Sequence, residues 1–298
     1  CEAELRLLIT SDVRAVPMVA GHLMDAGGKR LRPALTALGA RAVGLKGDCT
    51  QLMCVGELIH LGSLLHDDVV DTAATRRGRA AAHEVYGNPV AVLTGDFCLA
   101  RAVLLAAEVG GLVAVTELGR AVPEMAEGEV LQLQRAGDLS CERGAYFEVV
   151  ERKSGALIGW CAAAGAWACG DAGAASALQR FGRAVGIAFQ ITDDVLDYRA
   201  GTGKRVGADL RERKVTLPLL HAMRRLGDLR AVLSDHAPSD EEVRELVVRI
   251  EASGALEAAL QEAREIVDGG IAELAQLPAS DARRGLEIMG AYLVERAS

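Results

Sequence analysis

The stretch LLHDDVVDTAATRR places Asp67, Asp68 and Asp71 at the end of an apolar run, with Arg76 and Arg77 just beyond it. On a helix, residues three or four apart are surface neighbours with Cβ atoms ~5–6 Å apart, so the three carboxylates crowd one patch. ITDDVLDY repeats the pattern 126 positions later (193 − 67) with Asp193, Asp194 and Asp197. Each set closes an apolar helix, the end where the macrodipole disfavours negative charge, and a bound cation would remove that difficulty. The ligands are hard oxygens, and no His or Cys cluster accompanies both sets, which selects Mg²⁺ over zinc or copper. Mg²⁺ takes one or two protein carboxylates and fills its shell with water and phosphate, so two such sets suit the gripping of a diphosphate through several ions. Glu57 and His60 form an E-x-x-H pair, as in di-iron bundles. Those need a second E-x-x-H, and the chain has none.

Basic residues gather near the same places. GGKRLRP supplies Lys29, Arg30 and Arg32 on a Gly27–Gly28 lead, and Arg76 and Arg77 follow the first acidic set. Lys153 lies in a helix otherwise poor in lysine, and Lys204 and Lys214 bracket the loop after the second set. A diphosphate held by metal on one side and by Lys and Arg on the other fits this grouping.

The elements that must present these groups read as helices, with period-3.6 patterning almost throughout and no convincing strand alternation. Pro33 suits the first turn of a helix through ALTALGARAV. Further helices fit 51–71, a run opened by Pro89, 113–135, 141–168, 172–198 and a run reopened by Pro218. Ser239 and Glu242 have capping-box spacing before VRELVVRI, and two more helices finish the chain. TRRGRAAAHEVYGN and RAGTGKRVGADLRERK read as polar loops. With no linker rich in Pro, Gly or Ser and no short repeat, one all-α domain over residues 1–298 is expected.

Bulk properties narrow the function. The chain is half hydrophobic and only 3% aromatic, and its net charge of −8 argues against a nucleic-acid binder, which needs a basic face. Seven scattered cysteines without CxxC spacing suggest a reduced, cytoplasmic chain. The longest uncharged run, SGALIGWCAAAGAWACG, is shorter than the ~20 residues a membrane span needs and reads as a buried helix packed through small residues.

Taken together, GGKRLRP, ELIHLGSLLHDDVVDTAATRRG, GNPVAVLTGDF, ERKSGALI and GIAFQITDDVLDYRAGTGKRVGADLRERKVTLP, in that order over about residues 27–218, resemble the trans-isoprenyl diphosphate synthases, or polyprenyl synthetases. The resemblance implies an all-α isoprenoid-synthase-type bundle around a deep central cavity, usually homodimeric. It implies Mg²⁺-dependent, head-to-tail condensation of isopentenyl diphosphate with an allylic diphosphate, a step of isoprenoid biosynthesis. By that similarity Asp67, Asp68 and Asp71 bind Mg²⁺ bridging the allylic diphosphate. Asp193 and Asp194 bind it from the other side, and Asp197 completes the second motif. Lys29, Arg32, His60 and Arg77 hold isopentenyl diphosphate. Arg76, Lys153, Lys204 and Lys214 contact the allylic diphosphate, while Gln190 and Ser154 face the developing cation. Release of a long apolar product implies transient contact with a membrane. Ser154 stands where the family usually has Thr, and RRGRAAAH departs from the common Lys-Pro after the glycine.

Side chains on a helix lean toward its N-terminus, so a chain growing away from the aspartates meets residues four and five earlier, Ser63 and Gly62. Farnesyl-making relatives often carry aromatic residues there. Two small residues leave at least one more turn, ~5.4 Å, with Ile59 and Leu58 as the next stops. A product longer than farnesyl diphosphate is expected. The alternatives are a short-chain farnesyl or geranylgeranyl diphosphate synthase, a class I terpene cyclase, which generally lacks the GGKRLRP site and an Asp-rich second motif, and a non-enzymatic helical subunit.

Overall fold

Helical periodicity is realised as helices almost everywhere. The computed structural model describes residues 1–199, 206–236 and 238–295. Among them the one sheet is a two-stranded hairpin, so the all-α expectation holds. Contacts divide the chain into two compact units. One comprises Cys1–Val122, Trp160–Gln179 and Leu277–Arg283; the other comprises Pro123–Gly159, Arg180–Gln276 and Arg284–Ser298.

The first unit opens with α1 (Glu2–Leu8), α2 (Ala15–Asp25), α3 (Leu31–Ala42) and α4 (Thr50–Val70). Asp48 starts α4. Its Oδ1 accepts from the backbone N–H of Thr50 at 2.9 Å and from the Thr50 hydroxyl at 2.6 Å, which occupies one of the donors a helix start leaves orphaned. The segment expected to be a loop after α4 instead holds strands β1 (Thr75–Arg76) and β2 (Arg79–Ala80) and the short α5 (Ala82–Tyr86). Arg77 and Gly78 both have positive φ (53° and 78°), the conformation of a two-residue hairpin turn whose twist matches its strands. That turn fixes where the paired arginines go.

The run α6 (Asn88–Gln134) contributes its first part to this unit and breaks at Gly111 (φ 73°, ψ −176°), a backbone state that glycine adopts without penalty. After α7 (Arg143–Val150) and a π-helical turn over Glu151–Gly155 comes α8 (Ala156–Ala168). From Trp160 on, α8 belongs to the first unit and packs on α3 as closely as its small residues suggest. A Cβ on Gly39 would lie 2.1 Å from the carbonyl oxygen of Ala162.

The second unit is completed by the later part of α9 (Ala172–Leu196), then α10 (Ala208–Arg211), α11 (Leu217–Arg225), α12 (Leu229–Asp235), α13 (Asp240–Ala252), α14 (Ala255–Glu273) and most of α15 (Asp281–Glu295). Its core gathers Ile191, Val195 and Tyr198 of α9 with Leu219 and Ala222 of α11 and Leu256, Ala259 and Leu260 of α14. The capping box that starts α13 forms as the spacing predicts. Glu242 N–H donates to Ser239 Oγ at 3.3 Å, and Ser239 N–H donates to Glu242 Oε2 at 2.8 Å.

Candidate active site

Within the first unit, α4 brings two kinds of group together. Arg30, Glu57, His60 and Arg77 line a pocket whose remaining walls are Leu5, Leu23, Met24, Leu61 and Leu64. Arg30 donates through Nη1 to Glu57 Oε1 at 2.6 Å and through Nε to Glu2 Oε1 at 3.0 Å. Burial opposes the charge of Arg30, but these carboxylates outweigh it and raise its pKa. Glu57 is thereby committed to an arginine, which disposes of the E-x-x-H metal reading. Arg77 is less compensated; burial, then Arg30 and Arg76, lower its pKa. His60 is driven well below 6.5 by burial and then by Arg32, Arg77, Arg76 and Arg30, so it is a neutral imidazole among cations. A Cβ on Gly28 would come within 3.2 Å of Arg77 Nη1 and 3.3 Å of Arg30 Nη1, so the bare glycine leaves room for both guanidinium groups. This surplus of positive charge calls for an anion. Lys29 is exposed beside it.

His60 and Asp67 are seven residues apart on α4, two turns along the same face. Asp67 is half-buried, and Asp71, which caps the helix, is exposed. Asp68 differs, being fully buried. Its Oδ1 accepts from Arg76 Nε at 2.6 Å and Nη2 at 2.5 Å, while Oδ2 is buried without a hydrogen-bond partner. That orphaned oxygen fits a site completed by a cation or its water. No three metal-ligating side chains converge among the described residues, in keeping with an ion that draws most of its shell from water and phosphate.

The chain-length positions separate. Nine residues before Asp67, Leu58 lies on the opposite side of α4, so it does not face a chain growing along the aspartate side. Gly62 is also not open space: its Cβ would sit 2.8 Å from the carbonyl oxygen of Gly95 and 3.2 Å from Leu99, so its smallness serves the α4–α6 contact. Ser63 and Ile59 remain on the aspartate face. Ser63 turns its hydroxyl back to the carbonyl of His60 at 3.0 Å, which leaves an apolar surface.

Within the second unit, the π-helical turn carries Lys153 and Ser154. Such turns insert an extra residue into a helix and recur at functional sites. A Cβ on Gly186 of α9 would lie 2.8 Å from the Ser154 carbonyl oxygen, so that glycine lets α9 approach the turn. Ser154 Oγ donates to Gln190 Oε1 at 3.0 Å, Gln190 Nε2 donates to Asp194 Oδ1 at 2.8 Å, and Tyr146 OH donates to Asp194 Oδ2 at 2.6 Å. Burial pushes the Asp194 carboxyl up to about 7 against the pull of those two donors. Lys153 Nζ reaches Glu129 Oε2 at 2.5 Å and Gln132 Oε1 at 3.2 Å. Lys153, Gln190, Asp194 and Lys214 line one pocket with Tyr146, Asp209 and Thr216. Burial, followed by Asp194 and Asp197, raises Asp209 well above the usual carboxylate range.

Asp193 is half-buried at the end of α9. Asp197 departs from expectation. Its Oδ1 accepts from Ala208 N–H at 3.1 Å and its Oδ2 from Asp209 N–H at 3.0 Å, so its carboxylate caps α10 instead of serving as a ready metal ligand. Lys204 lies outside the described residues. Spacing gave no sign of Tyr146, 48 positions before Asp194, nor of the Arg30–Glu57 pair. Asp209 stood unremarked in GADLRERK.

The polyprenyl synthetase family profile matches residues 14–250. An octaprenyl diphosphate synthase of Haemophilus influenzae is 37% identical over 298 aligned positions, covering 97% of this chain and 90% of that one. A crystal structure of a polyprenyl synthase from Caulobacter crescentus, complexed with calcium and isoprenyl diphosphate, superposes with a TM-score of 0.94 at 41% identity, covering 99% of this chain and 93% of the other. A decaprenyl diphosphate synthase from Rhodobacter capsulatus superposes with a TM-score of 0.92 at 36% identity, covering 100% and 95%.

Proposed function

This chain belongs to the polyprenyl synthetase family, and from that membership we infer that it is a prenyltransferase with the all-α isoprenoid-synthase fold. It joins isopentenyl diphosphate head to tail to an allylic prenyl diphosphate and elongates it to a trans-polyprenyl diphosphate longer than farnesyl. The observation that carries the assignment of sites is the cationic pocket of Arg30, His60 and Arg77, two turns along one helix face from Asp67.

In this reading Lys29, Arg32, His60 and Arg77 hold the diphosphate of isopentenyl diphosphate. Neutral His60 donates a hydrogen bond there without adding charge. Asp67, Asp71 and Asp193 would be the principal carboxylates for Mg²⁺, with Asp68 adding the oxygen that Arg76 does not take and Asp194 adding a carboxylate held by Tyr146 and Gln190. When bound, the metal neutralises the allylic diphosphate and makes it a competent leaving group. Arg76, Lys153, Lys204 and Lys214 contact the same diphosphate. Its C–O bond breaks to give an allylic cation, beside which Ser154 and Gln190 present oriented dipoles. The isopentenyl double bond forms the new C–C bond, and the departing diphosphate takes the proton then lost. Water is kept away, because it would quench the cation to an alcohol.

The whole chain acts as one catalytic domain in this proposal; α6, α8, α9 and α15 each contribute residues to both units. By length and composition α6 could also cross a membrane, but only a third of its most apolar window is buried. Its exposed Leu93, Val103, Leu104, Leu112 and Val113 suit a second copy of this chain in a homodimer. We further propose a cytoplasmic setting, supported by seven scattered free cysteines, with membrane contact at product release.

Incubation with Mg²⁺, radiolabelled isopentenyl diphosphate and allylic primers of graded length tests the reaction. Labelled linear products are expected. Unlabelled cyclic hydrocarbon from primer alone would make it a cyclase, and no turnover with any primer would make it a binding subunit.

A further inference from the structure

Glu129 stands where an anion is out of place. It lies in the second part of α6, next to a lysine assigned to a diphosphate, yet it belongs to neither aspartate set. A carboxylate there repels a diphosphate unless its charge is used locally. The use is visible within the second unit. Glu129 Oε2 lies 2.5 Å from Lys153 Nζ, and Gln132, one turn further along α6, accepts from the same ammonium through Oε1 at 3.2 Å. We propose that Glu129 is a positioning residue for the allylic diphosphate, acting through Lys153. The inference rests on the assignment of Lys153 to that diphosphate.

The main chain fixes the root of Lys153. A Cβ on Gly128 of α6 would lie 2.5 Å from the Lys153 backbone nitrogen and 3.0 Å from its Cα, and a Cβ on Gly186 of α9 would lie 2.9 Å from Gly155 Cα. The π-helical turn is thus packed directly against the backbones of two helices. The tip of the side chain is a separate matter, because a lysine ammonium rides on a flexible four-carbon stem and loses rotamer freedom when it is held. Glu129 and Gln132 hold it before any substrate arrives. An ammonium has three N–H donors. Among the described residues those two acceptors occupy two of them, which leaves one for a phosphate oxygen. Lys153 and Gln132 both line the pocket that holds Gln190 and Asp194. Glu127 supplies the contrast. It precedes Gly128 and pairs with Arg152 Nη1 at 2.7 Å, but Arg152 does not line that pocket. The Glu127 side chain is 60% exposed and that of Glu129 only 20%, so solvent screens the Glu129–Lys153 pair less.

The test compares wild-type protein with Glu129→Gln, Lys153→Met, the double variant and Glu127→Gln. Each is assayed with Mg²⁺, labelled isopentenyl diphosphate and one allylic primer. Binding of an unreactive thiolo analogue of that primer, with Mg²⁺ present, is measured by calorimetry, which needs no turnover. Glu129→Gln keeps the shape and removes the charge. It is expected to lower kcat/KM for the primer by roughly 10- to 30-fold, the cost of leaving one lysine tip unheld. The Kd of the analogue should rise with it, while KM for isopentenyl diphosphate stays unchanged. In the Lys153→Met background the same substitution should add no further loss of analogue binding, because Glu129 has no ammonium left to hold. Glu127→Gln should leave both measurements at the wild-type level. Wild-type kinetics in folded Glu129→Gln protein overturn the proposal. So does a loss of equal size with and without Lys153, or an equal loss in Glu127→Gln, either of which would reduce Glu129 to a support of the π-helical turn. Tighter binding of the analogue by Glu129→Gln overturns it as well, by making Glu129 a competitor for the ammonium. Each of these leaves the elongation reaction intact. Wild-type protein that makes no labelled prenyl product overturns the reaction itself, and the role of Glu129 with it.

Discussion

The phenol of Tyr146 donates to Oδ2 of Asp194 across 2.6 Å, while the Gln190 amide donates to Oδ1 at 2.8 Å. Asp194 is thus gripped from two helices, and through Gln190 it orients the oxygen that accepts from Ser154. Tyr146→Phe keeps the ring and removes one hydrogen bond to a charged group, worth about 1.5–3 kcal/mol. It should lower kcat by roughly 10- to 150-fold, raise the Mg²⁺ concentration needed for half-maximal rate, and leave KM for isopentenyl diphosphate unchanged. An unaltered Mg²⁺ requirement would reduce Tyr146 to a packing residue.

Asp67→Ala and Asp193→Ala each remove a carboxylate assigned to the metal. Turnover should fall by on the order of 10²-fold or more, with the helical circular-dichroism spectrum retained. Chelation of divalent metal from the wild-type protein should do the same reversibly. Near-normal activity in either variant would remove that carboxylate from the metal site.

Gly62→Ala and Ser63→Phe should behave differently although the residues are adjacent. A Cβ at Gly62 meets the Gly95 carbonyl oxygen at 2.8 Å, so the Ala variant is overpacked by about 1–3 kcal/mol and melts at lower temperature with product length unchanged. Ser63→Phe adds bulk on the aspartate face and should shorten the product. Thermal melts and product chromatography distinguish the two.

His60 carries a pH signature. Its folded pKa lies well below 6.5, first through burial and then through the four surrounding arginines. Between that lowered value and 6.5 the unfolded chain binds a proton that the folded chain refuses, so stability should fall as pH drops through this window. His60→Gln should remove that part of the acid sensitivity, measured as the difference between urea midpoints at about pH 7.5 and 5.5.

Asp68 and Arg76 should couple. Asp68 is fully buried with Arg76 on its Oδ1, and stripping one partner from a buried pair costs about 3–5 kcal/mol. Arg76→Ala should therefore destabilise the fold more in the presence of Asp68 than in an Asp68→Ala background. Additive losses in the double-mutant cycle would show the pair to be independent.

The helices carrying 51–71, 113–135 and 172–198 were legible because apolar periodicity and the prolines at 33, 89 and 218 are local signals. The hairpin at Thr75–Ala80 was not, because two-residue strands offer no alternation to read; its sign was the Arg77–Gly78 turn. The capping box at Ser239 was legible because both partners lie within one turn. Tyr146 was invisible because nothing within its own helix distinguishes it from any half-apolar position.

By itself, the sequence determined the class of chemistry: two sets of aspartates at helical spacing, basic residues nearby, and a helical chain to present them. Those are consequences of residue type and short-range periodicity. Only the tertiary structure decided what each group does. One oxygen of Asp68 is taken up by Arg76, Asp197 is spent on the first backbone amides of α10, Glu57 pairs with Arg30, and Gly62 serves a helix crossing. The physical reason is that a carboxylate's role depends on which donors reach it, and a glycine's on which atoms approach it. Those neighbours arrive from helices tens of residues away in the chain.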